Sequence, residues 1–199
     1  MHPLNDIFNL CQPQPLPKPG GILIAEPFLN DEDFHRSCIC LTKAGADKTS
    51  TGLILNKPLK LSLNHLFSEV QTDFKIPIFL GGPVSTDQLF FLHDLGSLIP
   101  KSEVICEGLY FNGNFHAVLE YINSGNPIRG HLKFFVGYSG WDSGQLDEEV
   151  SNHIWAVDNK ISTNRILSDS NKNLWRECVR DLGKDFANWL LCPNDPNLN

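Results

Sequence analysis

One α+β domain is the fold this sequence predicts, and three observations lead to it. Short apolar runs bounded by Gly, Pro and Asn recur along the chain, as buried strands do. Between them lie stretches with apolar residues at helical spacing, such as Leu63, Leu66, Phe67 and Val70. The two patterns mix without strict alternation, and no internal repeat or linker follows residue 19. A chain of 199 residues buries roughly 70% of the surface it exposes when unfolded. We therefore divide it into a Pro-rich N-terminal segment, 1–19, and one domain, 20–199.

Taken in order, Pro13, Pro15, Pro17 and Pro19 forbid regular helix in the first segment. A short helix is expected before them, over Asn5 to Cys11. Gly20 and Gly21 open the first strand, Ile22 to Ala25, whose unbroken apolar run suits burial on both faces. Ser37 to Thr42 reads as the second strand, and 43–51 as a polar loop. Gly52 to Asn56 is the third strand, ended by Pro58. Ser62 caps a helix expected to run to Val70. Ile76 to Leu80 and Gln88 to His93 are the next strands, joined by a Gly81-Gly82-Pro83-Val84 turn. Asn112-Gly113 marks a turn, with a helix from Phe115 ending at Gly125. His131 to Tyr138 is a strand, as is Ile154 to Val157. The last helix covers 171–190, with Gly183 as its weak point.

The stretch Val136 to Val150 stands out. A strand leads into Gly137, Gly140 and Gly144, which bracket Tyr138, Ser139 and Trp141, and a helix follows. This reads as a glycine-rich turn at a helix start. Asp142 or Ser143 is the expected cap, with Gln145 three residues after Asp142 as in a capping box. Asp147, Glu148 and Glu149 then fall where the helix dipole favours negative charge. Leu146, Val150 and Ile154 form the apolar stripe.

Charge and motifs exclude several functions. Sixteen Lys and Arg against 23 Asp and Glu leave a formal charge of −7, which opposes direct nucleic-acid binding. No apolar run approaches the ~20 residues of a membrane span, and no signal peptide is visible, so a soluble cytoplasmic protein is expected. No Walker loop, G-x-S-x-G elbow or H-x-x-x-H pair occurs, and neither metal nor cofactor is expected. The six cysteines include no C-x-x-C pair. Cys38 and Cys40 face one side of a strand and read as reduced, buried thiols; a thiol sensor is the lesser reading.

The sequence nonetheless offers candidates. Backbone N–H groups at the glycine-rich turn could hold an anion, although three carboxylates follow at once. Gly81, Gly82 and Pro83 follow a strand and could approach a ligand, or serve only as a tight turn. His93 beside Asp94 could do acid–base work, or cap a strand end. Asp33, Asp142, Glu148 and Glu149 could cluster around Mg²⁺ only if the fold joins them.

Five blocks in this order and spacing resemble the bacterial YqgE/AlgH family. They are Gly21 to Pro27 with Asp33-Phe34, Gly52 to Pro58, Gly81 to Val84, Phe91-Leu92-His93, and Gly137 to Trp141 through Gln145, Leu146 and Glu149. Trp155 and Trp175 also match. The resemblance spans about residues 20–185 and implies a mixed, branched sheet, part of it closed like a small barrel, surrounded by helices. It adds a transcriptional-regulator label but no established enzymatic activity. Ser139, where Ala is common, Lys57, where Arg is common, and the longer 43–51 loop depart from the pattern. From the blocks and turns together, the candidate ligand-binding residues are Asp33, Asn56, Gly81, Gly82, Pro83, His93, Tyr138, Gly140, Trp141, Gln145 and Glu149.

Two functions compete. One is a non-catalytic binding or regulatory protein with a protein or small-molecule partner, acting indirectly on transcription. The other is a metal-assisted hydrolase of a small phosphorylated or acylated metabolite, with His93 as acid or base and Glu149 and Asp142 holding the metal. The second requires these side chains to converge in one pocket.

Overall fold

Strand β1 (Ile22–Ala25) is apolar at every position because both its faces are covered. Ile22 and Ile24 enter one core, while Leu23 and Ala25 enter another on the opposite face. A computed structural model describes residues 14–45, 49–169 and 173–193 of the chain. The helix expected over Asn5 to Cys11 lies outside them.

Antiparallel strands β2 (Cys38–Lys43) and β3 (Ser50–Ile54) extend the sheet from β1, and β10 (Trp155–Asp158) closes its other side. Beyond β3 comes β9 (Leu132–Trp141), then β6 (Val84–His93), β8 (Leu109–Phe111) and β7 (Glu103–Cys106). The remaining pair, β4 (Pro58–Ser62) and β5 (Pro77–Leu80), joins through β5 alone. The sheet curls into a half-barrel, and Lys43 at the end of β2 meets Glu103 of β7 at 3.4 Å.

The branch forms on β9. Its first half pairs in parallel with β5, Ile78 to Leu80 opposite Phe134 to Val136. Its second half pairs with β3, Gly52 opposite Ser139. β6 runs antiparallel to it, from His93 opposite Leu132 to Val84 opposite Tyr138. The handover occurs at Gly81, whose carbonyl accepts the Ile54 N–H at 3.0 Å and the Ser139 hydroxyl at 3.1 Å. Three chains cross so closely there that side chains have no room. A Cβ on Gly81 would overlap the Gly137 carbonyl oxygen, and one on Gly82 would overlap the Tyr138–Ser139 peptide. Gly137 also sits at φ +69°, which glycine alone adopts freely.

Helices cover the faces. Helix α1 (Leu63–Leu66) and helix α2 (Phe115–Asn123) pack on Ile78, Phe91 and Phe134. Asn114 caps α2 by accepting the His116 and Ala117 N–H groups. Helix α3 (Gln145–Ser151) puts Leu146 and Val150 on Trp141 and Trp155. The short α4 (Thr163–Ile166) precedes α5 (Leu174–Leu182), whose Leu174, Trp175, Cys178 and Val179 fill the half-barrel.

Several expectations need correction. The glycine-rich "turn" Gly137 to Trp141 is strand: β9 runs straight through it, because Gly137 serves close packing against the Gly82 backbone, and the chain bends only at Asp142. Gly144, at φ +79°, caps α3 in place of Asp142 or Ser143. The helix expected from Ser62 to Val70 stops at Leu66, since Phe67 turns extended. The long final helix breaks at Gly183 and continues as a 3-10 helix from Lys184 to Leu191. Pro58 opens β4 instead of only ending a strand, and β7 carries an apolar pattern too short to stand out.

The crossing predicts a sharp contrast between glycines. Gly82→Ala is expected to lose about 3 kcal/mol or more in urea unfolding, because peptide backbone cannot move aside. Gly108→Ala, equally left-handed at φ +72° but with open space around it, is expected to lose only about 1 kcal/mol.

Candidate functional site

The side chains singled out from sequence divide into separate places. Trp141, Gln145 and Glu149 do come together. Trp141 ends β9, α3 starts four residues later, and Glu149 lies one helical turn after Gln145 on the same face. Glu149 Oε2 accepts the indole N–H of Trp141 at 2.8 Å and that of Trp155 at 2.7 Å. Its Oε1 accepts the Gln145 amide at 2.8 Å. Gln145 in turn accepts the Asp142 backbone N–H at 3.0 Å, the reciprocal half of the expected capping box. The two indoles meet edge to face at 6.1 Å, and Phe34 stacks edge-on to Trp155 at 5.8 Å. The carboxylate therefore ties α3 to β9 and β10.

Asn56 is equally committed. Its Oδ1 accepts the Cys38 N–H at 2.9 Å and its Nδ2 donates to the Arg36 carbonyl at 2.8 Å, joining the chain after β3 to the start of β2. Asp33 is half-buried in the neighbouring loop, where its charge and that of Asp31 face Lys57. Burial is the larger influence on Lys57 and pulls its pKa down. Gly81, Gly82 and Tyr138 meet at the strand crossing, with Tyr138 edge-on to Phe90 at 5.7 Å. Pro83 is exposed beside them, and Gly140 is exposed opposite Thr51.

His93 is elsewhere. It pairs with Leu132 at one end of β9, whereas Trp141 is at the other, roughly 30 Å away for a ten-residue strand. Its ring is fully buried and stacked on Tyr110 at 5.5 Å. Nδ1 accepts the Leu95 N–H at 3.2 Å, so Nε2 carries the proton and donates to the Asn112 carbonyl at 3.0 Å. Burial holds its pKa below the ordinary histidine value. Asp94 turns to a different ring: both its oxygens lie 3.0 Å from His131 Nδ1. The convergence of His93, Asp142 and Glu149 that a metal-assisted hydrolase needs is thus overturned. Among the described residues, no three His, Cys, Asp or Glu side chains gather as a metal would require. The thiol-sensor reading also fails on access, since Cys38 and Cys40 are fully buried and burial pushes the Cys40 thiol up to about 12.

One chemically unusual residue escaped the sequence reading. Lys133 is 1% exposed inside the half-barrel, its ammonium nitrogen 2.7 Å from the Ser168 carbonyl and 4.4 Å from the centre of the Phe79 ring. Burial lowers its pKa to about 7, against the pull of Asp169. The signal was present: a lone charge inside the apolar run Leu132 to Val136.

Two expectations follow. Glu149→Gln leaves one acceptor oxygen where two are used, so that either the two indole N–H groups or the Gln145 amide faces a donor; a loss of about 2 kcal/mol and altered tryptophan emission are expected, with Glu148→Gln neutral. For Lys133, the unfolded chain keeps its proton up to about 10.5 while the folded chain releases it near 7. Stability should rise with pH across that window and be insensitive to this group below it. Chemical denaturation at pH 7 and pH 10 should show wild type gaining on the order of 4 kcal/mol more than Lys133→Met.

Comparison with known proteins fits this geometry. The AlgH-like family model matches residues 22–187. A UPF0301 protein of Parabacteroides distasonis is 45% identical over 195 residues, covering 98% of each chain. One from Bacteroides fragilis is 41% identical, covering 98% of this chain and 97% of the relative. Among solved structures, a crystal structure of a Corynebacterium diphtheriae protein superposes with a TM-score of 0.73 at 20% identity, covering 92% of this chain and 96% of that one. The solution structure of the AlgH protein from Pseudomonas aeruginosa gives 0.66 at 25% identity, covering 83% and 88%. By the family model and by relatives aligned along its whole length, this chain belongs to the AlgH-like family.

Proposed function

We propose that this protein is a non-catalytic binding protein that works through its surface, in the cytoplasm, and influences transcription only through a protein or metabolite partner. One observation carries the reading. The two side chains that the sequence singled out for proton or metal chemistry, His93 and Glu149, already spend their polar atoms on the fold. What remains for a partner is shape. A cleft of about 590 Å³ opens where the sheet curls, between the β2–β3 hairpin and β7–β8. Thr42, Ala44 and Thr49 line one wall and Val104, Ile105 and Phe111 the other. Val104 is 70% exposed, an apolar surface a partner would cover. The formal charge of −7 supports the indirect route, since DNA phosphates would be repelled.

A thermal-shift screen against nucleotides, divalent metals and central metabolites tests this. A ligand at ~100 times its dissociation constant adds about 2.7 kcal/mol, roughly 5–10 °C at this chain length. The shift is expected to vanish in Val104→Arg and survive in Glu149→Gln. The reverse pattern would place the ligand at α3. Salt-sensitive duplex DNA binding by the purified protein would defeat the indirect route.

A further inference from the structure

The outer edge of β10 is covered by the chain's own alternating-proline segment, and the manner of covering points to a role. β10 has β1 as its strand neighbour on one side. Val157 turns its N–H outward, and among the described residues no strand meets it: the Gln14 side-chain oxygen accepts it at 3.1 Å. Two residues on, the Asn159 amide donates to the Leu16 carbonyl at 2.9 Å. The segment then turns at Lys18, whose carbonyl accepts the Gly21 N–H at 3.0 Å, and enters β1.

Pro15 and Pro17, which flank Leu16, have no N–H to offer to a further strand. A segment built this way covers one edge without offering a new one.

We infer that residues 14–19 are an edge guard, and that the surface they guard is a strand-pairing edge whose partner, when uncovered, is β10 of a second copy of this chain. Self-pairing suits the sequence. Two antiparallel copies related by a two-fold at Val157 place Val157 against Val157, Ala156 against Asp158 and Trp155 against Asn159, so no like charges face each other. The opposite end of the sheet is less suited: β7 carries a register shift between Val104 and Cys106, and Glu103 is occupied by Lys43.

The test unhooks the guard in the full-length chain. Gln14→Ala/Asn159→Ala, and Gln14→Ala alone as the milder form, are compared with wild type by sedimentation equilibrium and by amide exchange at Val157. The expected result is faster exchange at Val157 when the variant is dilute, and self-association strengthened roughly tenfold or more over wild type. Adding Val157→Pro, which removes the outward N–H while leaving the pairing with β1 intact, should return the variant to the wild-type state. Unchanged exchange at Val157 in both variants would show that the segment guards nothing. Faster exchange without stronger association would overturn the second-copy partner, as would association that survives Val157→Pro.

Discussion

The fold depends on how closely three backbones pass at Gly81. One carbonyl there receives donors from β3 and from β9, while Gly82 and Gly137 are pressed against neighbouring peptide groups. Only residues without a Cβ permit the approach, and only that approach lets β9 exchange β5 for β3 along its length. The branch in turn creates two sheets' worth of faces from one strand. One face receives α1 and α2, and the concave side receives α5. Gly52 adds to the same crowding, since a Cβ there would stand 2.6 Å from Ile39.

Polar side chains in this protein work mainly as struts. Glu149 binds two indoles and an amide; Asn56 bridges two backbone segments; Trp175 donates to the Ala25 carbonyl at 2.8 Å and holds α5 over β1. A buried polar group left unpaired costs more than a paired one contributes, so each strut also fixes a register. Lys133 is the costly member of this set. Its ammonium lies among aromatic and thiol groups, and burial outweighs the attraction of Asp169. A protein that keeps such a residue gives up stability at neutral pH for a fixed contact between β9 and the Ser168 segment.

The motif residues that carry the family resemblance therefore have a structural account. Gly81, Gly82 and Gly137 build the crossing, Trp141 and Glu149 the α3 anchor, and Asn56 the link between β3 and β2. This shifts attention from the motifs to the surfaces they hold in place, namely the cleft beside β7 and the guarded edge of β10.

Local sequence determined the elements whose signals are local. β1, β2, β5, β10 and α2 are legible from short apolar runs and from glycine, proline and Asn112-Gly113 punctuation, because these act over a few residues. The pairing of Gln145 with the Asp142 N–H was legible for the same reason. Long-range packing decided the rest. A run of three glycines in eight residues reads as a turn until the chains that press on Gly137 are known, and nothing in its spacing reveals Gly82. The neighbour of His93 in sequence, Asp94, pairs with His131 instead, 37 positions away. The indole of Trp155 reaches Glu149 only because α3 folds back between β9 and β10. Spacing along a chain fixes which residues share a strand or helix face. Which faces meet, and so which groups become chemistry and which become architecture, depends on contacts between distant segments that only the tertiary structure supplies.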